Sequence, residues 1–127
     1  MPRSSSGLYT LIGRLPVPCE DALAWGKFYE NRDARRVAET FVGPMRISTV
    51  FLAINHNFGL DKEEEPVLFE TMIFGINDDT YQERCTTWDE AEAMHQRAVE
   101  VATILFDTAE VTIAAFERLF NEHKASP

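Results

Sequence analysis

Seven side chains carry groups suited to chemistry and lie in or beside the most apolar stretches of the chain: His56, Asn57, Glu70, Thr71, Arg84, Cys85 and His95. Imidazole and carboxylate are acid–base groups and ligands for divalent metals. His56, Glu70 and His95 together would suit a small metal-dependent or acid–base hydrolase. Glu70 is the anomaly, because a carboxylate between Leu68 and Met72 on one strand face is costly to bury unless it is paired or protonated. The plainer reading pairs Glu70 with Arg46 or Arg84, lets His56 end a strand, and makes His95 a satisfied histidine where helix meets sheet. Cys85 then reads as an inert buried thiol. The sequence holds no GxSxG, HExxH, Walker-type, GxGxxG or CxxC pattern. No catalytic residue, metal ligand or cofactor is therefore assigned. His56, Asn57, Glu70, Thr71, Arg84 and His95 are taken as candidate ligand-binding residues.

The elements that must position them are two short apolar segments, residues 47–54 and 67–74, rich in β-branched and aromatic side chains. They read as neighbouring antiparallel strands. Apolar residues on both faces of 47–54 predict a central, doubly covered strand. Between them lies an acidic loop, 57–65, with three consecutive glutamates, expected to be solvated. In a flush hairpin His56 faces Pro66, and Glu70 lies about 13 Å further along at ~3.3 Å per residue. Only another register brings His56 and Glu70 together.

Further strands are expected at 36–42 and 80–85, with a hairpin across Gly43-Pro44 and a turn at 77–79. Pro44 is awkward in the tightest turns, which points to a longer loop, a bulge or a cis bond. Residues 8–15 read as a weak edge strand stopped by Pro16 and Pro18. Residues 20–30 read as a helix weakened by Gly26. Thr87 and Glu90 form a capping box for a helix over 88–106, with the stripe Trp88, Ala91, Met94, Ala98, Val101 and Leu105. Asp107-Thr108-Ala109-Glu110 resembles a second cap. One unbroken helix to His123 would outrun a compact domain of this size, whose diameter is roughly 35 Å. So either it breaks near Asp107 or it projects onto another chain.

With 127 residues, one domain is expected, preceded by a flexible tail at 1–7. A formal charge of −9 disfavours phosphate backbones and anionic membranes. It permits a DNA mimic, although the acids are scattered. Arg32, Arg35 and Arg36 form a local basic patch that could receive an anion or neutralise nearby acids. The two cysteines, Cys19 and Cys85, lack metal-type spacing and read as reduced thiols. No apolar run is long enough to span a membrane, and no signal peptide is evident.

Three blocks occur together: ISTVFLAINHNFG at 47–59, PVLFETMIFG at 66–75 and YQERCTTWDEAEAMH at 81–95. With WGKFYE and RRVAETFVG before them, they resemble a family of small uncharacterised proteins of bacteriophages and prophages. That family has the pattern STVFLG, DHNFG, LFETM, TWEEA and GH. Asn55, Cys85 and Met94 depart from its usual Asp, Tyr and Gly. Were that Asp catalytic, Asn55 would put the activity in doubt. The resemblance implies the cytoplasm of an infected bacterium, or a virion.

The expected fold is α+β: an antiparallel sheet of four to five strands, with an N-terminal helix and one or two C-terminal helices packed on it. The expected function is non-catalytic, an accessory protein that binds a host small molecule or host protein. A small hydrolase and a particle component are the alternatives. A homo-oligomer through the C-terminal helix is the expected assembly.

Overall fold

The computed structural model describes residues 3–57, 64–75 and 81–125, without the side chains of 111–112 and 122–125. The expected acidic loop at 57–65 lies mostly outside the described residues. So do the turn at 77–79 and Thr80.

The chain begins with a hairpin of β1 (Tyr9–Ile12) and β2 (Leu15–Pro18). Pro16 and Pro18 were expected to stop regular structure. They sit in β2 instead, opposite Leu11 and Tyr9. β2 pairs on one side only, so a missing N–H costs it little. The expected tail is tied down at Ser4 and Ser5, whose hydroxyls donate to Glu20 at 3.2 and 2.7 Å. Those donors hold the Glu20 carboxyl below the usual range.

Helix α1 (Ala22–Glu30) starts at Asp21, whose carboxylate accepts from the N–H groups of Leu23 and Ala24. Its Gly26 has open space where a Cβ would stand. Gly26→Ala is expected to raise stability by about 0.5–1 kcal/mol, read as a higher urea midpoint at unchanged slope. Asn31 closes α1 and also caps a short α2 (Arg32–Arg35) that the sequence pattern did not announce.

Four strands then form one antiparallel meander in sequence order: β3 (Arg36–Val42), β4 (Met45–Phe51), β5 (Phe69–Phe74) and β6 (Gln82–Cys85). The β3–β4 connection has only two residues, because Val42 pairs directly with Met45. No longer loop or cis bond is used. Gly43, at φ +55°, supplies the positive angle that a two-residue turn needs at its first central position, and Pro44 takes the second. The only irregularity in this pair is a bulge between Arg36 and Ala38.

One helix, α3 (Trp88–Ala125), runs for 38 residues, which settles the choice left open at Asp107 in favour of an unbroken helix. At ~1.5 Å per residue it is about 57 Å long. Thr87 accepts from the Glu90 N–H, and Glu90 accepts back from the Thr87 hydroxyl, so the cap is the one the sequence announces. The buried stripe is Ala91, Met94, His95, Ala98 and Ala102, continued by Phe106. Leu105, expected in that stripe, is 44% exposed.

This stripe covers one face of the sheet. Met45, Ile47, Thr49 and Phe51 of β4 and Phe69, Thr71 and Ile73 of β5 point into it and are buried. On the other face, only α2 approaches β4 among the described elements, near Ser48 and Val50, which corrects the doubly covered β4. That face mixes Arg46, Ser48, Glu70, Gln82 and Arg84 with Val50, Met72 and Phe74, and none of them is fully buried.

β4 leaves the sheet after Phe51. Ala53 takes a left-handed φ of +66°, unusual for a side chain with a Cβ. Its carbonyl accepts from the Tyr9 N–H at 2.9 Å and from the Trp25 indole at 3.0 Å. Hairpin, α1 and β4 are thus joined at one peptide.

Candidate functional site

The expected site residues fall into three separate places. His56 and Asn57 lie beyond the end of β4, where His56 is exposed. The His56 N–H donates to the Val67 carbonyl, so the chain takes a nearly flush register there. Glu70 pairs instead with Val50, six positions before His56. Thr71 and His95 lie on the opposite face of the sheet from Glu70. Because neighbouring strand residues point to opposite faces, Glu70 and Thr71 cannot line one pocket. The hydrolase reading loses its geometry, since His56, Glu70 and His95 do not converge. Among the described residues, no three His, Cys, Asp or Glu side chains gather as a metal site.

Each place has its own structural account. Glu70 accepts from Arg84 Nε at 2.9 Å and from Gln82 at 2.6 Å, both its neighbours across the β5–β6 ladder. The carboxylate is paired on the face away from α3, which removes the anomaly of its apolar neighbours. Cys85 is pushed up to about 11, chiefly by burial and then by Glu90, so its thiol stays protonated at neutral pH.

Asn55 organises the turn that His56 and Asn57 occupy. Its Oδ1 accepts from the Asn57 N–H at 2.9 Å and the Val67 N–H at 3.0 Å. An aspartate would accept the same two bonds, so the departure from the DHNFG pattern keeps the latch. Asn55→Asp is expected to be near neutral, whereas Asn55→Ala should cost about 1–2 kcal/mol by orphaning two N–H groups. Urea unfolding of the two variants checks the contrast.

His95 is 2% exposed and has both ring nitrogens engaged. Nε2 meets the Thr40 hydroxyl at 2.8 Å and Nδ1 meets the Thr49 hydroxyl at 2.7 Å. Thr49 also bonds Thr71 across the β4–β5 pair. Burial lowers the His95 pKa, so the ring is neutral. Thr40 and Thr49 were missed as its partners. The available signal was a threonine at an inward position on each of three adjacent strands. A hollow of about 540 Å³ lies between β3 and α3 beside His95, with Asp89 and Glu92 on its wall. It offers no free imidazole nitrogen and no cation in its lining.

The arginines gather elsewhere. On the face away from α3, α2 and the first residues of β3 meet β4 around a hollow of about 190 Å³. Its lining holds Arg32, Arg35, Arg36 and Arg46, the acid Glu39, and Ser48. Arg35 is built in: Nε donates to the Tyr29 carbonyl at 2.9 Å, and its guanidinium lies 4.2 Å over the Tyr29 ring. Arg36 pairs with exposed Asp33 at 3.1 Å, and Arg46 with Glu39 at 3.3 Å. Such exposed pairs are worth about 1 kcal/mol or less and can be exchanged for a stronger anion. Arg46 joins the run 32–36 only through the hairpin register, which sets Glu39 opposite Ser48. A sequence scan for local basic runs misses it for that reason.

Comparison with protein-family models, with curated proteins and with solved structures yields no match.

Proposed function

We propose that this chain is a non-catalytic binding protein whose ligand is a small phosphate- or carboxylate-bearing molecule, held in the arginine hollow. One observation carries the reading. In a chain of formal charge −9, four arginines line a single small hollow whose lining contains one acid. Planar guanidinium forks match carboxylate and phosphate oxygens, and charge-assisted bonds of this kind are about twice as strong as neutral ones. Arg35 is held in place by Nε on the Tyr29 carbonyl and Nη1 on the Phe51 carbonyl, and adds fixed positive charge to the hollow. Ser48 adds a hydroxyl to the lining. The resemblance to phage proteins makes a host metabolite the natural ligand and the host cytoplasm, or the virion, the natural setting. Among the described residues, no helix is long and apolar enough to cross a membrane.

Titration calorimetry against inorganic phosphate, nucleotides and cyclic nucleotides tests the proposal. At least one probe is expected to bind, more weakly as salt rises. The double variant Arg36→Glu/Arg46→Glu is expected to lose at least about tenfold in affinity, since each charge-assisted bond is worth roughly 1.5–3 kcal/mol. Absence of heat with every probe, or full affinity in the double variant, would sink it.

A further inference from the structure

The buried stripe of α3 does not stop where the sheet stops. Val99, Ala102 and Phe106 lie against the sheet, and Ala109, Ile113, Phe116 and Phe120 follow them in strict alternation of three and four. That alternation is the repeat of a coiled-coil seam. Past Phe106, no described element covers it. Ile113 is 55% exposed, Phe116 69%, Leu119 59% and Phe120 58%. The charged residues of this stretch, Asp107, Glu110, Glu117 and Arg118, all lie off the seam.

We infer that the distal half of α3 is the interface of a homodimer, in which two copies cross antiparallel along Ala109, Ile113, Phe116 and Phe120. Area supports a second copy. Ile113, Phe116 and Phe120 on the seam and Leu119 beside it, each more than half exposed, present about 450 Å² per chain at roughly 200 Å² for a large side chain in full. Two such stripes facing each other remove about 900 Å² of apolar surface, and flanking atoms carry the total past the ~1,000 Å² expected of a specific interface. A stripe of this repeat is complementary to itself, so it needs no other partner chemistry.

Direction follows from phase. The seam faces the same side of α3 as the sheet does, because one stripe serves both. In a parallel pair the two sheets would therefore be driven into the same space. Antiparallel helices place the two sheets at opposite ends of the pair. The inference is independent of the anion reading.

Sedimentation of the full chain tests it. A monomer–dimer equilibrium is expected in the micromolar range, and small-angle scattering of the dimer should show two separated lobes. Phe116→Glu is expected to be monomeric on the order of 100 µM with an unchanged circular dichroism spectrum, since Phe116 touches no core. A wild-type monomer at that concentration overturns the proposal. So does a Phe116→Glu variant that still dimerises, or a dimer with a single lobe.

Discussion

His95→Ala is expected to lower the unfolding free energy by about 2–4 kcal/mol and to abolish an acid-dependent loss of stability that the parent chain shows. The first effect has two sources. The buried ring leaves a cavity, and the half-buried Thr40 and buried Thr49 hydroxyls each lose a partner. The second effect follows from linkage. Burial lowers the folded pKa of His95 below its ordinary 6.5. Between the two values the unfolded chain binds more protons than the folded one, so stability rises with pH. The contribution is whole above about 6.5 and is lost as pH falls towards the folded value, at up to about 1.4 kcal/mol per pH unit. Urea midpoints at several pH values between 7 and 5 read both effects. A parent chain with a flat profile there would show that the ring is not held neutral.

Phe51→Ala should be the most damaging single truncation, at about 3–5 kcal/mol. Phe51 is fully buried at the last position of β4. Its ring meets Phe28 of α1 edge-on at 5.9 Å and Phe69 of β5 at 5.3 Å, and Phe69 in turn meets Trp88 of α3 at 6.2 Å. Four elements, α1, β4, β5 and α3, are linked through this chain of ring contacts. A domain of this size has only about 5–15 kcal/mol in hand, so the variant is expected to be near its unfolding midpoint at physiological temperature. Phe51→Leu, which keeps most of the volume, should cost about 1.5 kcal/mol or less. Thermal melts of the two variants separate cavity from shape.

Much of the architecture was legible because periodicity and punctuation agreed. The strand at 36–42 has the bounds expected of it, and the 87–90 cap starts the long helix where it was placed. Glu39 faces Ser48 as the hairpin across Gly43 requires. Asp107-Thr108 left a break and an unbroken helix both open, because a cap signal ends nothing unless tertiary structure interrupts the preceding turn, and α3 runs on through it. Pro16 and Pro18 look like stops, yet a strand paired on one side tolerates them. For the site, residue type was informative and convergence was not. Whether His56 meets Glu70 depends on a left-handed alanine and an asparagine latch, and neither has a period to read. The arginine hollow was half visible, as the run 32–36. Its fourth arginine comes from a strand-mate that only pairing brings near.

The Ala53 carbonyl has a consequence for the order of events during synthesis. The Tyr9 amide and the Trp25 indole both anchor to it, so residues 9–25 depend on an acceptor made more than two dozen residues later. At a translation rate of roughly 5–20 residues per second, these first segments leave the ribosome seconds before their anchor exists. Tyr9, 1% exposed in the buried cluster of Phe51, Phe69 and Met94, can therefore join the core only after the later strands and α3 have been made.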